Sequence, residues 1–286
     1  MHNQTVYDRV QNKIDSLTKS EKKVARVLIS DYPTAGLVTV AELSSRCGVS
    51  GQTIIRFASS IGFKSYPKFQ SALIEEIKAR NQSPLSLYSD KKSGLQKDHL
   101  FDNSLNSFTS TITKTISNLS LHEFNEAIKL ISDKRFKVIT TGGRFSELIA
   151  DYLHRHLHQL RPETYFQDSN PVSRGDVVID INKKTLVIVY DIRRYQTDTI
   201  NFVKEAHERG ATIILITDPL LSPICKFANV VLSAEVEMMS PFDSQHSILA
   251  LTEMLIAGIL ENLSENGKKR IEAIEAARSK ASNIVL

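Results

Sequence analysis

Four short runs rich in β-branched residues, Phe136 to Thr141, Thr185 to Ile192, Ala211 to Thr217 and Asn229 to Ser233, are separated by stretches of helical periodicity. Strands that alternate with helices require a parallel sheet covered on both faces, because a parallel neighbour is reached only through a crossover. The expected fold of this part is therefore a three-layer, doubly wound α/β domain. Residues 174–181 fit either a short helix or a further strand, and both readings stay open.

Upstream of these runs every pattern is helical. Between the two regions, residues 81–98 are polar, contain Pro84 and Gly94, and show no periodicity, which reads as a linker. The expected organisation is an all-α domain over residues 1–80, a linker over 81–100, and an α/β domain with C-terminal helices over 101–286. Positive charge is concentrated at the front. Residues 1–80 hold 12 Lys and Arg against 7 Asp and Glu, whereas the rest of the chain holds 24 against 25. An excess of this kind attracts phosphate backbones.

With 286 residues, 41% of them hydrophobic and 24% charged, the chain has a soluble globular composition and ample core. No run of about 18 apolar residues suggests a membrane span, and Met1-His2-Asn3-Gln4 does not open a secretory signal. Cys47 and Cys225 are too few and too far apart for a disulfide framework, so a reducing cytoplasm is expected.

The stretch TVAELSSRCGVSGQTIIRFASSIGF, residues 39–63, holds only three charged side chains. Thr18-x-x-Glu21 and Thr39-x-x-Glu42 are capping boxes that open helices, and Gly48 offers the positive φ of a tight turn. Ser50 is a plausible cap for the next helix. On that helix Ile54, Phe57, Ala58 and Ile61 share one side, while Gln52, Arg56 and Ser59 gather opposite, flanked by Thr53 and Ser60. An acid-free face of this kind suits the major groove, where Arg grips guanine and Gln grips adenine. Equally, it suits a plain three-helix domain whose polar face meets only water.

Residues 5–80 resemble the N-terminal domain of RpiR-type bacterial transcriptional regulators. The likeness rests on LTKSEKKVARVLISDY and on Val-Ser-x-x-Thr-x-x-Arg-Phe followed by Gly62-Phe63. It implies that Ser50, Thr53 and Arg56 face DNA, with Lys64, Tyr66 and Lys68 placed for backbone contacts. Gly51 stands where the family more often has Pro, Glu or Ala.

In the second region, Phe136 to Thr141, Gly142-Gly143 and Ser146 read as strand, tight turn and helix start. That arrangement favours anions and serves equally as a packing turn. Residues 101–262 resemble a sugar isomerase (SIS) domain, on the stretches KVITTGGRFSELIADYLHRHL, VIVYDIRRYQTDTINFVKEAHERGATIILITD and SPICKFANVVLSAE. SIS domains bind phosphorylated sugars through two hydroxyl-bearing loops. In the first loop, Gly-x-Gly-x-Ser, Gly142 and Ser146 match and Arg144 replaces the second glycine. In the second, Ser-x-Ser-Gly-x-Thr, Thr197 alone survives, with Ile192, Arg194 and Tyr195 in the other three places. Arg193 and Arg194 either grip an anion with planar forks or pair with carboxylates such as Asp191 or Asp198.

His154, His156 and His158 share one helix, but no carboxylate or Cys has partner spacing, so no metal is expected. A packed His156 between two solvated histidines is the better account. Glu235 and Glu237 follow a strand where SIS isomerases can carry acid–base groups; lone acids there are more often solvated. A long apolar helix over residues 244–263 and an amphipathic one over 268–280, with Ile271 and Ile274, suggest an interface with a second copy. The whole reads as a regulator without catalytic residues or cofactor. It binds a double-stranded DNA operator and a small anionic sugar-derived effector, and forms a homodimer or homotetramer. The rival reading is an aldose–ketose sugar-phosphate isomerase.

Overall fold

A computed structural model describes residues 4–91 and 100–281. The front of the chain is a helical head: α1 Val6–Gln11, α2 Lys19–Ser30, a 3-10 turn Thr34–Leu37, α3 Val40–Cys47, α4 Gly51–Ser60 and α5 Tyr66–Arg80. The box at Thr18 is complete, since Thr18 accepts the Glu21 amide and Glu21 accepts the Thr18 amide. At Thr39 only half forms, because the Glu42 carboxylate turns to Arg46 one turn on. Gly48 ends α3 with φ +61°, the left-handed geometry expected of it.

The stretch read as a linker contains a helix, α6 Pro84–Lys91, opened by a Ser83–Ser86 hydroxyl pair and proline at its first position. Residues 92–99 of that stretch, and Met1 to Asn3, lie outside the described residues.

Beyond it come α7 Leu100–Asn118, α8 Leu121–Ser132, β1 Lys137–Gly142, α9 Glu147–Leu160, β2 Thr164–Gln167 and α10 Pro171–Val178. The remaining elements are β3 Thr185–Asp191, α11 Thr197–Glu208, β4 Thr212–Thr217, a 3-10 turn Pro223–Phe227, β5 Val230–Ser233 and α12 His246–Ala281. The five strands are all parallel, in the order β2-β1-β3-β4-β5. Residues 171–178 resolve as helix because Asn170 caps them, accepting the Val172 and Ser173 amides ahead of Pro171.

Alternation along β3 builds both layers. Leu186, Ile188 and Tyr190 face α8, α9 and α12, whereas Val187 and Val189 face α10 and α11. The chain reverses its winding between β1 and β3, and ligands of such sheets collect at the carboxyl ends of the strands there. α12 is two helices joined across a kink at Ser264, where φ is 46°. By length and hydropathy alone it could cross a membrane. Its Ile248, Leu251, Leu255, Ile259 and Leu263 are buried in the core of the same chain, the geometry of a core helix. Part of that apolar surface is therefore spent within the chain, while Leu260 on the same helix stands 42% exposed. Exposed apolar residues also lie along α7, where Phe101 is 87% and Leu105 67% exposed.

The head is clasped to the α/β domain at the end of α5. Arg80 donates to the carbonyls of Leu220 and Leu221, in the loop after β4, and to Tyr32 at 3.3 Å. Its guanidinium lies 5.7 Å from the rings of both Tyr32 and Tyr195.

Candidate functional site

The outer face of α4 forms from the amphipathic pattern directly. Ile54, Phe57, Ala58 and Ile61 are buried, and Phe57 meets Phe69 edge-on. Gln52, Arg56 and Ser59 are exposed, as are Lys64 and Lys68 beyond the next turn, and α4 holds no carboxylate. Ser50 caps α4, accepting the Thr53 amide, and the two hydroxyls lie 3.0 Å apart.

Two residues expected at DNA are spent on the fold. Thr53 is buried, and its hydroxyl completes the cap. Tyr66 is buried, and its hydroxyl donates to Val38 at 2.9 Å and to Gly36 at 3.2 Å. The reason is the 3-10 turn over Thr34–Leu37, which packs on α5 and presents the Gly36 and Val38 carbonyls to Tyr66 and Gln70. The structure adds one residue that the reading of a polar stripe passed over. Ile55 stands 42% exposed beside Arg56, an apolar group of the kind that meets a thymine methyl.

The second feature is a cavity of about 570 Å³ at the carboxyl ends of β1 and β3. It brings together Gly143, Arg144, Ser146, Arg193 and Arg194, with Gln82 and Pro84 of the segment after the head on its wall. Gly142 lies beneath it. A Cβ there would fall 2.6 Å from the Glu147 amide, so glycine lets α9 start hard against β1. Thr197 is exposed in the first turn of α11 and does not line the cavity.

Ser146 is buried and already satisfied. Its hydroxyl donates to the Tyr190 carbonyl at 2.7 Å and accepts the Gly143 amide at 3.0 Å, so it fixes the turn and its O–H is already engaged. The Arg144 amide donates to Gln196 Oε1.

Neither arginine pairs with Asp191 or Asp198. Arg193 forks onto Asp243, with Nε at 3.2 Å, and its own amide donates to Asp218. Asp198 instead meets Arg174, a buried guanidinium that also donates to Gly142, Thr141 and Thr199 and so ties β1 to α11. Asp191 is buried against Ser222, and burial pushes its carboxyl up to about 7. Arg194 is exposed at the cavity and has no side-chain partner among the described residues. Gln196, Asp243 and Gln245 were missed from sequence; the last two lie some fifty residues from the arginines and carry no local signal.

A second cavity, of about 600 Å³, separates the head from the α/β domain and holds Glu76, Glu235 and Glu237. Glu235 and Glu237 line this cavity and not the strand-end one, although the two adjoin and share Gln82, Leu87 and Arg193. Burial pushes Glu76 and Glu235 up to about 7. Along α9 the buried spine is Ala150, Leu153, Leu157 and Leu160, with His154 and His156 both half-buried and only His158 exposed. His154 turns inward because β2, unseen in the sequence, sets Phe166 6.4 Å from its ring.

Residues 4–80 match the model of the helix-turn-helix domain of the rpiR family, and residues 130–258 match that of the SIS domain. A Haemophilus influenzae protein named as an HTH-type transcriptional regulator is 22% identical over 79% of this chain and 78% of its own. The sugar isomerase domain of an RpiR transcription factor from Sphaerobacter thermophilus superposes with TM-score 0.59 at 22% identity, over 62% of this chain and 99% of that one. Vibrio vulnificus NanR, solved with ManNAc-6P, superposes with TM-score 0.56 at 14% identity, over 98% of this chain and 100% of that one. The chain belongs to the RpiR-type transcriptional regulators, an rpiR-family helix-turn-helix domain followed by a SIS domain.

Proposed function

We propose that the chain reads a double-stranded operator with α4 and senses a small anionic, carbohydrate-derived metabolite in the strand-end cavity. It acts in the cytoplasm and is not a sugar-phosphate isomerase. The observation that carries the reading is the exposed, acid-free face of α4, where Gln52, Ile55, Arg56 and Ser59 stand together. Lys64 and Lys68 follow as phosphate contacts, and Ser50 orients the helix through its cap. Three guanidinium groups at the cavity, Arg144, Arg193 and Arg194, match an anion. The ManNAc-6P bound to the Vibrio relative supports a sugar-derived one. Against catalysis stands the placement of Glu235 and Glu237 at the other cavity.

The exposed apolar face of α7 supports a homodimer or homotetramer, and a symmetric pair presents two copies of α4 to two half-sites about 34 Å apart. Effector and operator communicate if the ligand binds two head placements unequally, with a coupling of about 1–3 kcal/mol.

The test is operator binding at several salt concentrations. Arg56→Ala costs about 1–3 kcal/mol of specific affinity, while Lys64→Ala weakens all sequences alike and lowers the salt slope. A folded Arg56→Ala protein with undiminished operator affinity removes α4 as the reading helix.

A further inference from the structure

Two oxygens of the chain's own side chains already occupy the anion-receptive groups of the strand-end cavity. Gln196 Oε1 accepts the Arg144 amide and lies so close to Gly143 that a Cβ there would fall 2.7 Å from it. Gln196 stands at the N-cap position of α11, yet its side chain makes no bond to its own helix and crosses to the opposite loop. On the other wall the Asp243 carboxylate fills the fork of Arg193, the geometry a ligand carboxylate would adopt. Two groups are left over. Arg194 has no side-chain partner among the described residues, and the shielded Gln245 Oε1 accepts from none.

We propose that Gln196 is a specificity-determining surrogate ligand. It closes the β1–α9 turn to phosphate oxygens and leaves recognition to Arg194 and to exchange at Arg193. The proposal rests on the cavity being the effector site. A neutral amide oxygen is a weak competitor, so an effector with enough further contacts displaces it, and a bare phosphate does not. The unmet acceptor of Gln245 supplies one such contact. The effector that opens the site carries a hydroxyl or amide N–H donor set apart from its anionic group, as a sugar acid or a sugar phosphate does, whereas the only O–H of inorganic phosphate is on the anion itself.

Substitution at Gln196 separates this role from a structural one. Gln196→Ala removes the competitor and bares the Arg144 amide, whereas Gln196→Glu holds a charged oxygen on it. Titration calorimetry of the full chain uses two probes, inorganic phosphate and glucose 6-phosphate. The expected result is inorganic phosphate binding in Gln196→Ala and not in the wild type, a gain of about three- to tenfold in affinity for glucose 6-phosphate in Gln196→Ala, and a loss in Gln196→Glu. If Gln196 only braces the loop, alanine weakens binding as well, and that result overturns the proposal. Arg194→Ala keeps the two levels of inference apart. Should it abolish binding while Gln196→Ala gains nothing, the cavity stands and the surrogate falls. Should it leave wild-type binding unchanged, the site lies elsewhere and both fall. Both also fall if none of these proteins binds either probe.

Discussion

Glu76 gives the sharpest stability prediction. Its carboxylate is buried in the head, accepting the Val6 amide at 2.7 Å and the Tyr32 hydroxyl. Burial outweighs these bonds and the nearby Arg80, raising the group from 4.5 to about 7. An acid with a raised folded-state pKa holds its proton more tightly in the folded head. Between about pH 4.5 and 7 the unfolded chain therefore binds fewer protons, and stability falls as pH rises through that window. The shift corresponds to on the order of 3 kcal/mol, present below the unfolded value and lost above the folded one. Glu76→Gln cannot ionise, so its stability stays flat where the wild type declines. The variant is close to wild type at pH 5 and more stable at pH 8, less whatever its altered bond to Tyr32 costs. Because Asp191 and Glu235 titrate in the same range elsewhere, the readout must be local. Hydrogen exchange of α1 and α5 amides, corrected for intrinsic rates, reports the opening free energy of the head alone. Identical pH profiles in wild type and variant would refute the reasoning.

Three other outcomes follow from single contacts. Tyr66→Phe lowers head stability by about 0.5–1.5 kcal/mol, because a buried hydroxyl bond is lost, and leaves operator affinity of the folded protein intact; weaker DNA binding at equal stability would restore Tyr66 to the interface. Gly48→Ala costs about 1–2 kcal/mol although nothing crowds the added Cβ, because the cost is the left-handed backbone, and thermal unfolding at fixed pH measures it. Arg161→Met costs more than about 2 kcal/mol in denaturant unfolding, since the buried guanidinium satisfies the carbonyls of Ile131, Asp133 and Phe136 around the end of α8.

The alternating architecture was readable because β3 and β4 are buried on both faces and leave long β-branched runs. β2 escaped because Thr164–Gln167 is a short edge strand with one β-branched residue and Tyr165 exposed, whereas β5, equally short at the other edge, is marked by Val230 and Val231. The inner face of α4 was legible from spacing alone, since helical periodicity fixes which residues share a side. Tyr66 was not, because the turn that buries it, bonded through Gly36, lies 30 residues upstream. The same limit governs the cavity. Glycines and arginines mark its loops, but the bonds from Gln196 to Arg144 and from Asp243 to Arg193 span 52 and 50 residues. Periodicity reports the face a residue occupies and says nothing of such distant partners.

The clasp at Arg80 makes α5 a lever. Its 15 residues run about 22 Å from the clasp to the end that packs beside α4. The pivot rests on the Leu220 and Leu221 carbonyls, and Asp218 binds that loop to the Arg193 amide and the Tyr195 hydroxyl at the edge of the strand-end cavity. A rotation of about 10° at the pivot carries the far end through roughly 4 Å, slightly more than the spacing of one base pair. If α4 reads a half-site as proposed, an adjustment at Arg193 passed along this arm would shift it on the DNA, opposed by the packing of α2 on the 3-10 turn Pro223–Phe227.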